Sequence, residues 1–165
     1  MSVNKVTILI LLSLLASMAC QKSNPVVEFQ TSKGAILVEL DVKNAPITAG
    51  NFLALLEEGY YDGASFYRSV RGASENNPVH ITVVQGGVQH LKSARRVEQI
   101  EHESTDITGL THSNGALSMA RSAPGTASTE FFFCMGDNPE LDFGGKRNKD
   151  GQGFAVFGKM LEGEQ

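Results

Sequence analysis

Hydrophobic and polar positions fall into short blocks along this chain, and most blocks carry a period of two. Residues 26–41, VVEFQTSKGAILVELD, read as two strands joined by a turn at Ser32-Lys33-Gly34. Ile36, Val38 and Leu40 alternate there with Leu37 and Glu39, as a half-buried strand requires. The period changes after Ala45-Pro46. In the following ITAGNFLALLEEG, Ile47, Phe52, Leu55 and Leu56 fall on one apolar face and Gly59 supplies a stop, which predicts a helix. Ser65–Val70 predicts a strand, Arg71–Pro78 a polar loop, and Val79–Gln85 a further strand ended by Gly86-Gly87. Residues 88–108 are mixed and predict no regular element. Gly115–Ala120 and Glu130–Met135 read as strands on either side of the turn-rich Ser122–Ser128. Gly136–Gly153 reads as loop and Phe154–Gly158 as a short strand. Many short strands with one clear helix predict an antiparallel barrel or sandwich.

Residues 1–20, MSVNKVTILILLSLLASMAC, break the pattern. Lys5 precedes an apolar run from Val6 to Ala16 that is too short to span a bilayer and has the length of a signal-peptide core. Residues 1–19 are therefore expected to be a secretory signal. Cys20 directly after Ala19 resembles the lipobox of bacterial lipoproteins, although Ser17 stands where Leu is usual. The resemblance implies lipidation of Cys20, a membrane anchor through the acyl chains, and residues 20–25 as a short polar tether. The expected location is the periplasm or cell envelope.

Composition narrows the class. The chain has 165 residues, 41% hydrophobic and 19% charged, which suits one globular domain. A net charge of −4 argues against nucleic acid as a partner. Two cysteines, Cys20 and Cys134, make no disulfide framework, and Cys134 is expected to be a buried strand residue. No GxSxG, HExxH, phosphate-binding loop, CxxC or dinucleotide fingerprint occurs. His80, His90, His102 and His112 are scattered and expected on loops or the surface, and no metal or cofactor is expected. Asp41, Asp62 and Asp142 lie beside turns, where capping is the default role.

What remains is a set of segments in fixed order: Phe66-Tyr67-Arg68, Gln85-Gly86-Gly87, Leu117-Ser118-Met119-Ala120-Arg121, Thr129-Glu130-Phe131-Phe132-Phe133, Leu141-Asp142, and FAVFG at 154–158. With APITAGNFLALLEEGYYDG in the place of a first helix, the chain resembles the cyclophilin family of peptidyl-prolyl cis–trans isomerases from about Val26 to Gly163. The resemblance implies a mainly β fold, a closed antiparallel eight-stranded barrel capped by helices. The chain ends at Gln165, where family members continue with a helix and a strand, so a C-terminal truncation is expected.

The chemistry implied is rotation of an X-Pro amide over a barrier of about 18–20 kcal/mol. A guanidinium pointed at the prolyl nitrogen draws the lone pair out of amide resonance, and Arg68 matches the family's catalytic arginine. Gln85 matches the glutamine that binds the substrate backbone and steadies the arginine. Phe132 matches the floor of the proline pocket and Leu141 its wall, and Ala120 and Arg121 match the segment that pairs with extended substrate. Several positions depart from the family pattern. Thr82 and Val83 stand where Phe and Met are usual, thinning one wall. Glu130 replaces a common Gln, with two readings open, a pair with Arg68 or a place beside substrate. Phe154 takes the place of a histidine, and Tyr67 that of a frequent His, which is expected to matter little. Glu140 replaces the aromatic residue that assists cyclosporin binding, so weak cyclosporin binding is expected. The expected partners are proline-containing peptides and unfolded exported proteins, with the chain a monomer. The alternative function is a catalytically weak proline-peptide binding module or chaperone.

Overall fold

The computed structural model describes residues 23–74, 77–91 and 95–163. The expected signal segment and the candidate lipidation site Cys20 lie outside the described residues. Strands β1 (Val26–Thr31) and β2 (Gly34–Leu40) form the anticipated hairpin. Its turn is closed by the Thr31 hydroxyl, which donates to the Gly34 carbonyl at 2.7 Å and accepts from the Lys33 N–H at 3.0 Å. Helix α1 (Pro46–Glu57) starts on proline, whose fixed φ suits the first turn. Its buried residues are Thr48, Ala49, Phe52 and Leu55. Ile47, expected on that face, is 40% exposed, because the buried stripe runs one position further along the helix.

Ala45, at the N-cap, has no side chain able to cap α1. Glu103 does so from 55 residues away. Its carboxylate accepts the N–H of Ile47 at 3.1 Å and of Thr48 at 2.7 Å, and the Thr48 hydroxyl at 2.6 Å. Two orphan donors of the first turn are satisfied, and a negative group sits at the positive end of the helix.

Strands β3 (Ser65–Ser74) and β4 (Asn77–Gly87) make one long hairpin. The stretch Arg71–Pro78, expected as loop, is therefore largely strand. Its polar composition misleads because this half of the hairpin extends past β6 (Phe131–Cys134), whose pairing with β4 covers only Val83–Gly86. The remaining elements are the short α2 (Thr105–Thr108), β5 (Ala116–Met119), a 3-10 turn at Pro139–Leu141, and β7 (Ala155–Glu162). β7 outruns its expected end at Gly158, since its exposed outer half pairs with β2 as far as Leu37.

The seven strands form one sheet, in the order β1-β2-β7-β5-β6-β4-β3, with every pairing antiparallel. The sheet curls. Phe29 of β1 touches Phe131 and Phe133 of β6, each at 5.6 Å between ring centres, although three strands separate β1 from β6. Phe66 of β3 meets the same two rings at 6.0 Å. The result is a half-barrel. Seven strands are present among the described residues, against the eight of the expected closed barrel, and β1 and β3 are its edges. The inner core joins Val38, Leu40, Phe52, Leu117, Met119, Phe131, Phe133 and Phe157, with α1 packed across it. A second apolar cluster lies on the other face of the sheet: Ile81, Val83, Ala116, Phe132, Cys134, Leu141 and Val156.

Candidate functional site

The period of two in β6 divides the phenylalanine triplet. Phe131 and Phe133 enter the inner core, and Phe132 enters the second cluster. Strand register then places five residues in a row across the outer face: Arg68 opposite Gln85, Gln85 opposite Phe132, Phe132 opposite Ser118, and Ser118 opposite Val156. Arg68, Gln85 and Phe132 are thus neighbours although the chain separates them widely. Arg68 is exposed and donates from Nη1 to Gln85 Oε1 at 3.1 Å.

A β-bulge sharpens this end of the row. Phe66 pairs with Gly86 and Arg68 with Gln85, so Tyr67 is an extra residue in β3. Bulges re-aim side chains, and here the phenol reaches back over the site. Gln85 Nε2 donates to the Tyr67 oxygen at 2.9 Å, and the phenol donates to Glu130 Oε2 at 2.5 Å. Burial, then the bond to Glu130, raise the Tyr67 pKa, so the phenol keeps its proton. Of the two readings of Glu130, the pair with Arg68 gives way: its carboxylate turns to Tyr67 and to the Val88 N–H at 2.9 Å. Tyr67, expected to matter little, is central to the polar network. The sequence signal for it was two departures from the family pattern, at 67 and 130, that meet in space.

Around Phe132 the apolar wall is built as follows. The Phe154 ring stands edge-on to it at 5.3 Å, and Val83 and Leu141 belong to the same cluster, with Ala120 at its margin. Thr82 is not brought in. It alternates to the other face of β4, and its backbone is held by Asn138, whose Oδ1 accepts the Thr82 N–H at 2.6 Å. Ala120 already donates its N–H to the Glu130 carbonyl at 2.8 Å. The Arg121 side chain acts as a strut: it donates to Asp150 at 2.8 and 2.9 Å and to the Gly153 carbonyl, and lies over the Phe154 ring at 5.2 Å. Arg121 in turn holds the Asp150 carboxyl down at about 2. Arg147 donates to the Val79 carbonyl at 3.0 Å, and burial together with the Arg68 charge lowers its pKa.

One histidine is not on the surface. His112 is buried and stacks on Phe132, 5.9 Å away and 11° from parallel. Its Nδ1 lies 2.7 Å from Asp142 Oδ1 and its Nε2 lies 2.9 Å from Ser118 Oγ. Burial lowers its pKa against the pull of Asp142. The neutral ring therefore donates from Nδ1 and accepts the serine proton at Nε2. Ser118 is fully buried, so this string supports Phe132 from behind and offers no nucleophile to a substrate. Nothing in the sequence singled out His112, because its partners lie 6 and 30 residues away. Cys134 is buried beside this cluster, and burial pushes its thiol up to about 12. Among the described residues no group of three His, Cys, Asp or Glu could hold a metal ion.

Comparison with known proteins bears on the family and the fold. The family model for cyclophilin type peptidyl-prolyl cis-trans isomerases matches residues 26–165. The cyp18 isomerase of Streptomyces antibioticus is 34% identical over 141 residues, covering 84% of this chain and 78% of the relative. Isomerase B of Escherichia coli K12 is 33% identical over 140 residues, covering 83% and 78%. A crystal structure of a Cryptosporidium parvum cyclophilin type isomerase superposes with a TM-score of 0.65 at 25% identity, covering 85% of this chain and 79% of that one. The same protein was also solved in the presence of the dipeptide Ala-Pro, and superposes with a TM-score of 0.64. A family model spanning nearly all of the described chain, bacterial relatives above 30% identity and a shared fold lead to one assignment: this chain belongs to the cyclophilin-type peptidyl-prolyl cis–trans isomerases.

Proposed function

We propose that Arg68 drives the isomerisation by directing its guanidinium at the prolyl nitrogen while the proline ring rests on Phe132. The observation that carries this reading is the cross-strand row Arg68–Gln85–Phe132, a fixed cation beside an apolar floor. Hydrogen bonding to the prolyl nitrogen localises its lone pair, lowers the double-bond character of the amide and eases rotation. No covalent intermediate is needed. Gln85 holds Arg68 and engages the substrate backbone, while Phe154, Val83 and Leu141 wall the ring. Arg121 shapes the pocket through the loop that carries Gly153 and Phe154. Ala-Pro, the dipeptide named with the Cryptosporidium protein, is the smallest ligand of this kind. The test is NMR exchange on an Ala-Pro peptide. Arg68→Ala should slow catalysed cis–trans exchange about a hundredfold, and unchanged exchange would sink the mechanism.

The substrates are exported proteins, on the evidence of residues 1–20, with Cys20 lipidated and the domain held at the envelope. Mass spectrometry of the mature N-terminal peptide checks this. An unmodified Cys20 would remove the anchor, and an intact Met1 would remove export. The finer fold expectation, a closed eight-stranded barrel, would require an eighth strand joining the edges of β1 and β3.

A further inference from the structure

We propose that Tyr67 and Glu130 form a positioning pair that sets the orientation of the Gln85 amide and, through it, the aim of Arg68. The proposal rests on the reading of Arg68 given above. The usual family residues at these two places are His and Gln, and here both differ and are bonded to each other.

Hydrogen-bond polarity makes the network directional. A carboxylate only accepts, so the Tyr67 hydroxyl must donate to Glu130 Oε2. With its single proton committed, the phenol oxygen can only accept from Gln85, which must present Nε2 to it. That leaves Gln85 Oε1 for Arg68, and a guanidinium only donates. Each link meets donor with acceptor, and the two ends fix the direction, since the carboxylate can only accept and the guanidinium can only donate. The amide of Gln85, which could otherwise turn over, is held in the one orientation that engages Arg68.

The anchor is itself secured. Glu130 Oε1 accepts the Val88 N–H at 2.9 Å and the Thr129 hydroxyl at 3.3 Å. The carboxylate occupies space that only glycine leaves open, since a Cβ on Gly87 would stand 2.7 Å from Oε1. Gly87 also has φ of 143°, which glycine tolerates. The bulge at Tyr67 completes the arrangement by turning the phenol toward Gln85. The groups facing the phenol are Glu130, Gln85, Arg68 and the His90 ring, edge-on at 4.9 Å.

Two variants test the pair. Tyr67→Phe removes one oxygen. Glu130→Gln keeps the shape but turns an amide N–H2 toward the phenol, so the phenol donates to Gln85, the Gln85 amide turns over, and two donors face each other at Arg68. Each variant should lower kcat about tenfold with KM within about twofold, since aim is lost and the pocket is kept. The double variant should lose no more than either single one. In each, the Gln85 side-chain amide resonances should move in a 15N-labelled sample. If Glu130→Gln fails to fold, Tyr67→Phe carries the test alone. Arg68→Ala measured alongside separates the two claims. Full activity in Arg68→Ala overturns the underlying reading. Loss in Arg68→Ala with wild-type kcat in both Tyr67→Phe and Glu130→Gln overturns the positioning pair. A loss confined to KM overturns it as well.

Discussion

Replacing Glu103 tests whether α1 depends on a cap supplied from outside its own sequence. Glu103→Ala removes the acceptor of three hydrogen bonds. Ile47 is 40% exposed, so water can take over its N–H. Thr48 is fully buried, so its N–H loses its partner without replacement, while its hydroxyl can rotate to another acceptor. A buried unsatisfied donor costs about 1–3 kcal/mol, and the carboxylate at the helix N-terminus adds about 0.3–1 kcal/mol. Allowing the hydroxyl to find another acceptor, one buried donor and the lost helix-end charge give an expected loss of about 2.5 kcal/mol, or about 8 °C in Tm for a domain of this size. Glu103→Gln should cost about half of that, because one oxygen still accepts while the new amide faces donors. Chemical denaturation of wild type and both variants measures the loss. Isomerase kcat at 10 °C should stay at the wild-type level while the variants remain folded, since α1 packs on the inner face and the Arg68 row lies on the outer one. A loss below about 1 kcal/mol in Glu103→Ala would refute the reasoning.

Other outcomes follow from the same geometry. Phe132→Ala should abolish measurable isomerisation and destabilise the fold by about 3–5 kcal/mol, read from peptide exchange and denaturant midpoints. The Asp150 carboxyl sits at about 2 in the fold against an ordinary 3.8, so its stabilisation is full above pH 4 and is lost as pH falls toward 2. Acid titration should therefore show an advantage of wild type over Asp150→Asn at neutral pH that disappears near pH 2. Burial lowers the pKa of His112, so below its ordinary 6.5 the unfolded chain takes a proton that the folded chain refuses. Stability should thus be full above pH 6.5 and decline below it, and His112→Asn should flatten that part of the profile. Glu140 makes a half-buried turn, accepting the Lys146 N–H at 2.8 Å, and offers no ring to cyclosporin. Calorimetry should find weak cyclosporin binding, tightened about tenfold or more by Glu140→Trp.

The strands and the row across them were legible in the sequence where local chemistry dictates geometry. Alternation in Ile36–Leu40 and in the phenylalanine triplet announces strands, and proline at the start of α1 announces a helix. Arg68, Gln85 and Phe132 could be singled out as candidates because they sit in short segments whose order resembles a family pattern, and the fold brings the three side by side. What escaped was long-range polar partnership. Glu103 sits in a stretch with no periodic signal, and its role exists only once α1 is placed beside it. Tyr67 gains importance from a bulge, a register event that no local propensity marks. His112 gains its place from a ring it covers and a carboxylate 30 residues away. The polar half of the β3–β4 hairpin reads as loop in the sequence because strands held by backbone bonds alone need no apolar side chains.

The division of the phenylalanine triplet between two faces has a practical consequence for redesign. One sheet walls the inner core on one face and carries the Arg68–Gln85–Phe132 row on the other, with consecutive residues assigned to opposite faces. Under the proposed mechanism, substrate preference would be altered at outward positions such as Phe154, and by swaps of similar volume at the buried Val83 and Leu141, while Phe131, Phe133 and Leu117 keep the interior filled. A library of volume-conserving changes in the outward set would vary that face while the inner core stays as it is. Shifting the strand by a single residue would exchange the two duties and forfeit both.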